Sequence, residues 1–178
     1  MEHKGTVRLE TERLVIREFD EKDTTTLYEI MKKSRVMHAW EHGFTFEETR
    51  EWLARQQERY RRDGFGYFAV LQKPSASLIG QAGLIASDIE GKSVTEIGYV
   101  FDDSVWGNGY ATEAARALVE FAFGTLGVDE LYCTMRPENL SSVKVAQRLG
   151  FEYSGEYIKV YKGKEMPHGI LILKRYGT

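Results

Sequence analysis

A strand-like run over residues 94–101 passes through a glycine loop into a helix-like run that reaches about residue 123. The loop and helix start read Val105-Trp106-Gly107-Asn108-Gly109-Tyr110-Ala111-Thr112-Glu113-Ala114. No other stretch constrains the fold as tightly, because a strand that leads into a crossover helix implies a parallel partner strand. Gly107 and Gly109 allow positive φ and the close approach of a ligand. The first N–H groups of the following helix lack internal partners, and with the helix dipole they form a place for an anion. No Lys follows the second glycine, so this is not the GxxxxGK[ST] phosphate loop. Position 112 is Thr where a dinucleotide fingerprint has Gly or Ala. Taken alone, such a GxG is more often a tight turn.

The rest of the chain reads outward from this unit. A strand is predicted over 7–19, where Leu14 and Ile16 alternate with Arg13, Val15 and Arg17. Asp20-Glu21-Lys22-Asp23 caps a helix carrying Leu27, Ile30 and Met31. Thr45-Phe46-Glu47-Glu48 is a capping box that starts a second helix, with an inner stripe of Trp52, Leu53, Gln56 and Tyr60. Strands over 67–71 and 78–85 follow, joined by a turn around Pro74, and Glu90-Gly91-Lys92 turns the chain into 94–101. Connections of hairpin size predict antiparallel pairing in this half.

Beyond it the pattern alternates: strand 94–101, helix 109–123, strand 130–135, helix 141–149, strand 151–161. Gly150 suits the position after a helix end, where positive φ is cheap. Lys162-Gly163-Lys164 closes a last hairpin to 170–173. The fold class is α/β, of the α+β type. It has one mixed, mostly antiparallel sheet with a parallel pair at its centre, and 1–178 reads as a single domain.

Bulk properties narrow the partners. The 178 residues carry a net charge of −3, which gives no general pull toward nucleic acid or an anionic membrane. Arg55, Arg59, Arg61 and Arg62 crowd one helix end, where they suit the negative end of the dipole. The single cysteine, Cys133, excludes an internal disulfide and fits a reducing compartment. In its apolar run it reads as a small core residue. The charged start, without an apolar run, predicts no leader peptide, and no apolar window reaches membrane length, so the expected location is the cytoplasm.

Three separated phrases then combine: Leu9-Glu10-Thr11-Glu12-Arg13-Leu14, the loop at 105–114, and Asn139-Leu140-Ser141-Ser142 leading to Gly150-Phe151. With Glu96-Ile97-Gly98-Tyr99 upstream, the chain resembles the GNAT superfamily of acetyl-CoA-dependent N-acetyltransferases. Within it, the chain is similar to the branch that includes the RimJ/RimL ribosomal-protein acetyltransferases, over nearly its whole length. The resemblance implies the GNAT fold, with flanking helices and a splayed central pair in whose opening cofactor and acceptor meet. It implies acetyl-CoA as the donor, with its pyrophosphate over Trp106, Gly107, Asn108, Gly109, Tyr110, Ala111 and Thr112. The family commonly has Gln or Arg where Trp106 stands. The backbone donors remain, and Trp106 reads as a cover over the loop. The pantetheine amides would pair with the backbone of Tyr99, Val100 and Phe101, and an N–H near Val100 would hold the oxyanion.

Glu96, in an otherwise apolar run, is the carboxylate proposed as general base, directly or through water; the plainer alternative is an ion pair at the sheet surface. Asn139 caps a helix or meets the pantetheine arm, or does both. Many family members have Tyr at the position of Ala146 as an acid for the thiolate. Here the resemblance points to Ser142 instead. Lys144 and Arg148 are either solvated or near the 3′-phosphate. His38, Trp40, Glu41 and Phe44 lie where the fold places its acceptor loop, and Trp40 and Phe44 wall the cleft or pack on the core. His38 and His42 stand four apart without a further ligand, so no metal is expected. The reading is direct acetyl transfer to a primary amine, either a protein N-terminal α-amine or a small-molecule amine. The alternative is a catalytically silent acyl-CoA-binding regulatory module. Whether the last hairpin makes a homodimer edge is left open.

Overall fold

The computed structural model describes residues 5–175. The first extended run is a hairpin of two short strands, β1 (Val7–Glu10) and β2 (Leu14–Arg17), where one strand over 7–19 is predicted. The chain breaks at Thr11-Glu12-Arg13. Thr11 N–H donates to Leu14 O at 2.9 Å, and the Thr11 hydroxyl accepts from Leu14 N–H at 3.0 Å. The alternation is nevertheless sound, because Leu14 and Ile16 are fully buried.

Asp20 caps a 3-10 turn over Glu21–Asp23, which runs on into α1 (Thr24–Met31), burying Leu27, Ile30 and Met31. Helix α2 (Phe46–Asp63) begins at the expected box: Thr45 Oγ1 accepts from Glu48 N–H, and the Glu48 carboxylate accepts from Thr45 N–H. Thr49, Trp52, Leu53 and Gln56 form its buried stripe. The Thr45 N–H, followed by Lys162 and His42, pushes the Glu48 carboxyl down from 4.5 to about 2. A depressed carboxyl adds stability above its ordinary value, and that contribution fades as pH falls through the folded value. Replacing Glu48 by Gln is therefore expected to flatten the acid-side fall in Tm between about pH 4.5 and 2. Thermal melts across that window check it, and an unchanged slope would count against the cap as an acid-sensitive element.

Strand β3 (Tyr67–Gln72) is buried on both faces, as its unbroken apolar run requires. Strands β4 (Ser77–Ile89) and β5 (Lys92–Phe101) pair antiparallel from Ile89↔Lys92 to Gly80↔Phe101. Glu90 and Gly91, both at positive φ, make the two-residue turn between them. Helix α3 (Tyr110–Phe121) crosses the sheet and widens into a π turn over Ala122–Leu126. It delivers β6 (Glu130–Met135) parallel to β5, with the ladder confined to one pair, Glu96 with Tyr132. Past that pair, the edge of β5 facing β6 carries no ladder, which is the splay the resemblance implies.

Helix α4 (Leu140–Arg148) ends before Gly150, whose φ is +92°. Strands β7 (Glu152–Tyr161) and β8 (Lys164–Lys174) follow, and β8 is longer than the predicted 170–173. It inserts between β6 and β7, so the eight strands run β1-β2-β3-β4-β5-β6-β8-β7. One core layer packs Ala114, Ala115 and Leu118 of α3 and Val145 of α4 against Phe68, Val70 and Ile97. A second layer packs α1 and α2 against Tyr67, Ala69, Leu71 and Val100. Alternation along β3 feeds both layers. Cys133 is buried in the first, and burial pushes its thiol up to about 12, which keeps it an inert core residue. No helix among the described residues is long and apolar enough to cross a membrane.

Candidate active site

A cleft of about 730 Å³ opens where the end of β5 meets the glycine loop, the start of α3 and the start of α4. A narrower pocket of about 130 Å³ holds Glu96. Ala39, Trp40, Tyr99, Asn139 and Ser142 line both, so the two spaces adjoin across shared walls.

Gly107 and Gly109 have φ of +82° and +78°. A Cβ at Gly107 would meet nothing within 4 Å, and one at Gly109 would meet only Arg13 Nη2, at 3.6 Å. The left-handed backbone therefore selects glycine here, while the space above the loop stays open to a ligand. Gly109 precedes α3 without any side-chain cap, leaving the helix-start N–H groups to a ligand or solvent. The Thr112 hydroxyl is buried with no partner among the described residues. These features fit an anionic group above 107–112.

The opening phrase of the sequence holds this loop. Glu113, in the first turn of α3, accepts from the Thr11 hydroxyl (2.6 Å), Arg13 N–H (2.9 Å) and Arg13 Nε (2.6 Å). Arg13 then donates from Nη1 to Asn108 O (2.9 Å) and stacks on Tyr110, 4.4 Å from its centroid. This is also why β1 and β2 separate, since the backbone between them is committed to α3. Glu113→Gln removes the charge from a half-exposed clamp and is expected to lower Tm by a few degrees. It should weaken CoA more than stability alone accounts for. Melts paired with CoA titration test this, and unaltered CoA affinity would separate clamp from loop function.

The loop residues divide in role. Trp106 is 45% exposed and donates from its indole N–H to Phe101 O at 3.0 Å, so it ties off β5 as well as covering the loop. Asn108 does not line the cleft. Its side-chain amide donates to Val105 O at 2.8 Å and staples the loop, which leaves the backbone N–H as its group for an anion. Tyr110, Ala111 and Thr112 line the cleft, as do Tyr99, Val100 and Phe101. The Tyr99 hydroxyl donates to Ser142 O at 2.8 Å and pins α4 to β5, and burial drives its pKa far up. Asn139 is the helix cap, its Oδ1 accepting from Ser142 N–H (3.4 Å), and it also lines both spaces. Ser142 lines both spaces too, while Lys144 and Arg148 line the large cleft.

Glu96 is 5% exposed and accepts from the Thr134 hydroxyl at 2.5 Å. No cation forms an ion pair with it among the described residues, which argues against a surface salt bridge. Around it stand Tyr67, Arg136, Lys159, Tyr161 and His168, from β3, the end of β6, β7 and β8. No sequence motif marks these residues, and only the strand order brings them together.

The acceptor loop is partly as expected. His38 lines the large cleft, and Trp40 lines both spaces. Phe44 is instead core, in edge contact with Trp40 (6.3 Å) and Trp52 (6.1 Å). Glu41 lines neither space. Lys164 (2.5 Å) and Arg136 (2.9 Å) hold it, Lys164 being the main cause of its lowered pKa, so its carboxylate is engaged in ion pairs within the chain. His42 contacts Trp40 O and Glu48, and no metal-binding group of His, Cys, Asp or Glu occurs among the described residues.

Comparisons with known proteins bear on the same parts. The model of the Acetyltransferase (GNAT) domain matches residues 13–152. The uncharacterized N-acetyltransferase YnaD of Bacillus subtilis (strain 168) is 32% identical over 161 residues, covering 89% of this chain and 91% of that protein. The acetyltransferase (GNAT family) from Bacillus anthracis superposes with a TM-score of 0.79 at 27% identity, covering 93% of this chain and 97% of that one. RimL, a ribosomal L7/L12 alpha-N-protein acetyltransferase solved with coenzyme A, gives a TM-score of 0.76 at 19% identity, covering 94% and 97%, a likeness of fold alone. The matched span takes in Arg13 of the clamp, the glycine loop, Glu96 and α4. With the splayed parallel pair and the open helix start, it follows that this chain belongs to the GNAT acetyltransferase family.

Proposed function

We propose that the large cleft binds acetyl-CoA and that the protein transfers the acetyl group directly to a primary amine presented from the Glu96 pocket. The observation that carries this reading is one continuous arrangement. An uncapped helix start under two positive-φ glycines leads along an unladdered strand edge to a buried carboxylate. The N–H groups at 107–112 would hold the pyrophosphate, with the Thr112 hydroxyl as a further donor. The edge of Tyr99-Val100-Phe101 would pair with the pantetheine amides, and an N–H near Val100 would stabilise the oxyanion, a contribution of about 10²–10³ in rate. Glu96 supplies the negative charge that draws a proton from the amine, and Ser142, which lines both spaces, would meet the leaving sulfur.

The acceptor is an N-terminal α-amine, as for the RimJ/RimL-like branch, or a small-molecule amine. The buried, unpaired thiol of Cys133 suits the cytoplasm. The test is thiol release from acetyl-CoA across peptides, polyamines and aminoglycosides. The reading expects release matched by acetylated amine for at least one class. CoA binding with no turnover on any class would favour the silent regulatory module.

A further inference from the structure

The small pocket contains a group that no motif announces. His168 of β8 is 7% exposed and lines the pocket with Glu96. Its Nδ1 lies 3.1 Å from Met166 O. A carbonyl oxygen only accepts, so Nδ1 carries the proton, and the neutral ring presents its lone pair at Nε2. Nε2 has no hydrogen-bond partner among the described residues.

We propose that His168 Nε2 is the immediate proton acceptor for the amine, with Glu96 as the charge that offsets the imidazolium formed. This rests on the acetyl-transfer reading above and deepens it. The charged neighbours pull in opposite directions, and Tyr67 of β3 and Tyr161 of β7 line the same pocket. Glu96 of β5 favours the imidazolium, whereas Lys159 of β7 and Arg136 beyond β6 disfavour it. The Tyr157 ring lies 6.0 Å away, centroid to centroid. Burial, the largest influence, lowers the His168 pKa from its ordinary value and keeps the resting ring neutral near pH 7.

The step balances. The acceptor arrives as an ammonium, gives one proton to Nε2, and attacks the thioester carbonyl with the freed lone pair. The C–N bond forms and the C–S bond breaks, with the sulfur taking that electron pair. The second nitrogen proton goes to the sulfur, and His168 returns its proton to water. No oxidant or reductant enters.

His168→Asn tests the assignment, because an Asn amide still donates toward Met166 O but offers no basic nitrogen. The expected result is a fall in kcat/KM of about 10²-fold near neutral pH, with CoA affinity retained. The acid limb set by His168 should give way to one set by the amine itself, so that activity recovers only at high pH, where the amine deprotonates unaided. A uniform loss at every pH, or no loss, overturns the inference. Absence of transfer by the unaltered protein on every amine class instead overturns the acetyl-transfer reading. Should the Asn variant not fold, the imidazole ¹⁵N shifts of the unaltered protein decide. His168 protonated at Nδ1 alone supports the assignment, and protonation at Nε2 near neutral pH overturns it.

Discussion

Replacing Glu96 with Gln is expected to lower turnover by about 10²-fold or more while leaving acetyl-CoA affinity unchanged. The two side chains are nearly isosteric, and the Gln carbonyl still accepts from the Thr134 hydroxyl that now meets Glu96 at 2.5 Å. What is lost is the negative charge beside His168 and the acceptor pocket. The added amide N–H₂ sits in a site only 5% exposed, and leaving it unpaired costs about 1–3 kcal/mol of stability. Rates therefore belong well below the Tm of the variant, with CoA binding measured on the same sample. Turnover unchanged by the substitution would overturn the role given to this carboxylate.

Gly109→Val is expected to weaken CoA binding by more than about tenfold beyond what its loss of stability explains. In the protein alone a Cβ here meets only Arg13 Nη2 at 3.6 Å, an ordinary contact. The folded state is therefore penalised only for holding a non-glycine residue at φ +78°, about 1–2 kcal/mol. A ligand lying on the loop meets the new methyl groups as well. Gly163, at φ +76° in the turn between β7 and β8, supplies the control, for a Cβ there meets nothing within 4 Å. Gly163→Val should lower Tm similarly and leave CoA affinity alone. If both variants lose affinity together, backbone strain rather than ligand contact explains the loss.

How far the sequence carried the account depended on how local each signal was. The box at Thr45 and Glu48, the turn at Glu90 and Gly91, and Gly150 after α4 are each decided within a few residues, and the structure agrees with all of them. The break between β1 and β2 is decided by Glu113, a hundred residues away, so an alternating apolar pattern extended one strand across it. The placing of β8 between β6 and β7 is a choice among antiparallel neighbours that no hairpin signal encodes.

The same limit governs the site. Two glycines and a helix start identify a cradle because the backbone does the binding, whereas side-chain direction in the acceptor loop has no such signature. Trp40 turns into the cleft while Phe44 turns into the core and Glu41 into an ion pair. His168 and Arg136 reach the Glu96 pocket from separate elements, and the pocket exists only once the sheet is assembled.

The most direct test of the central claim is amide chemical-shift mapping on ¹⁵N-labelled protein titrated with acetyl-CoA. The account predicts the largest changes at the N–H groups of Gly107, Gly109, Tyr110, Ala111 and Thr112, continuing to Tyr99, Val100 and Phe101. Shifts gathered instead in the second groove, beside Lys92, Glu130 and Tyr132, with the glycine loop unmoved, would contradict it.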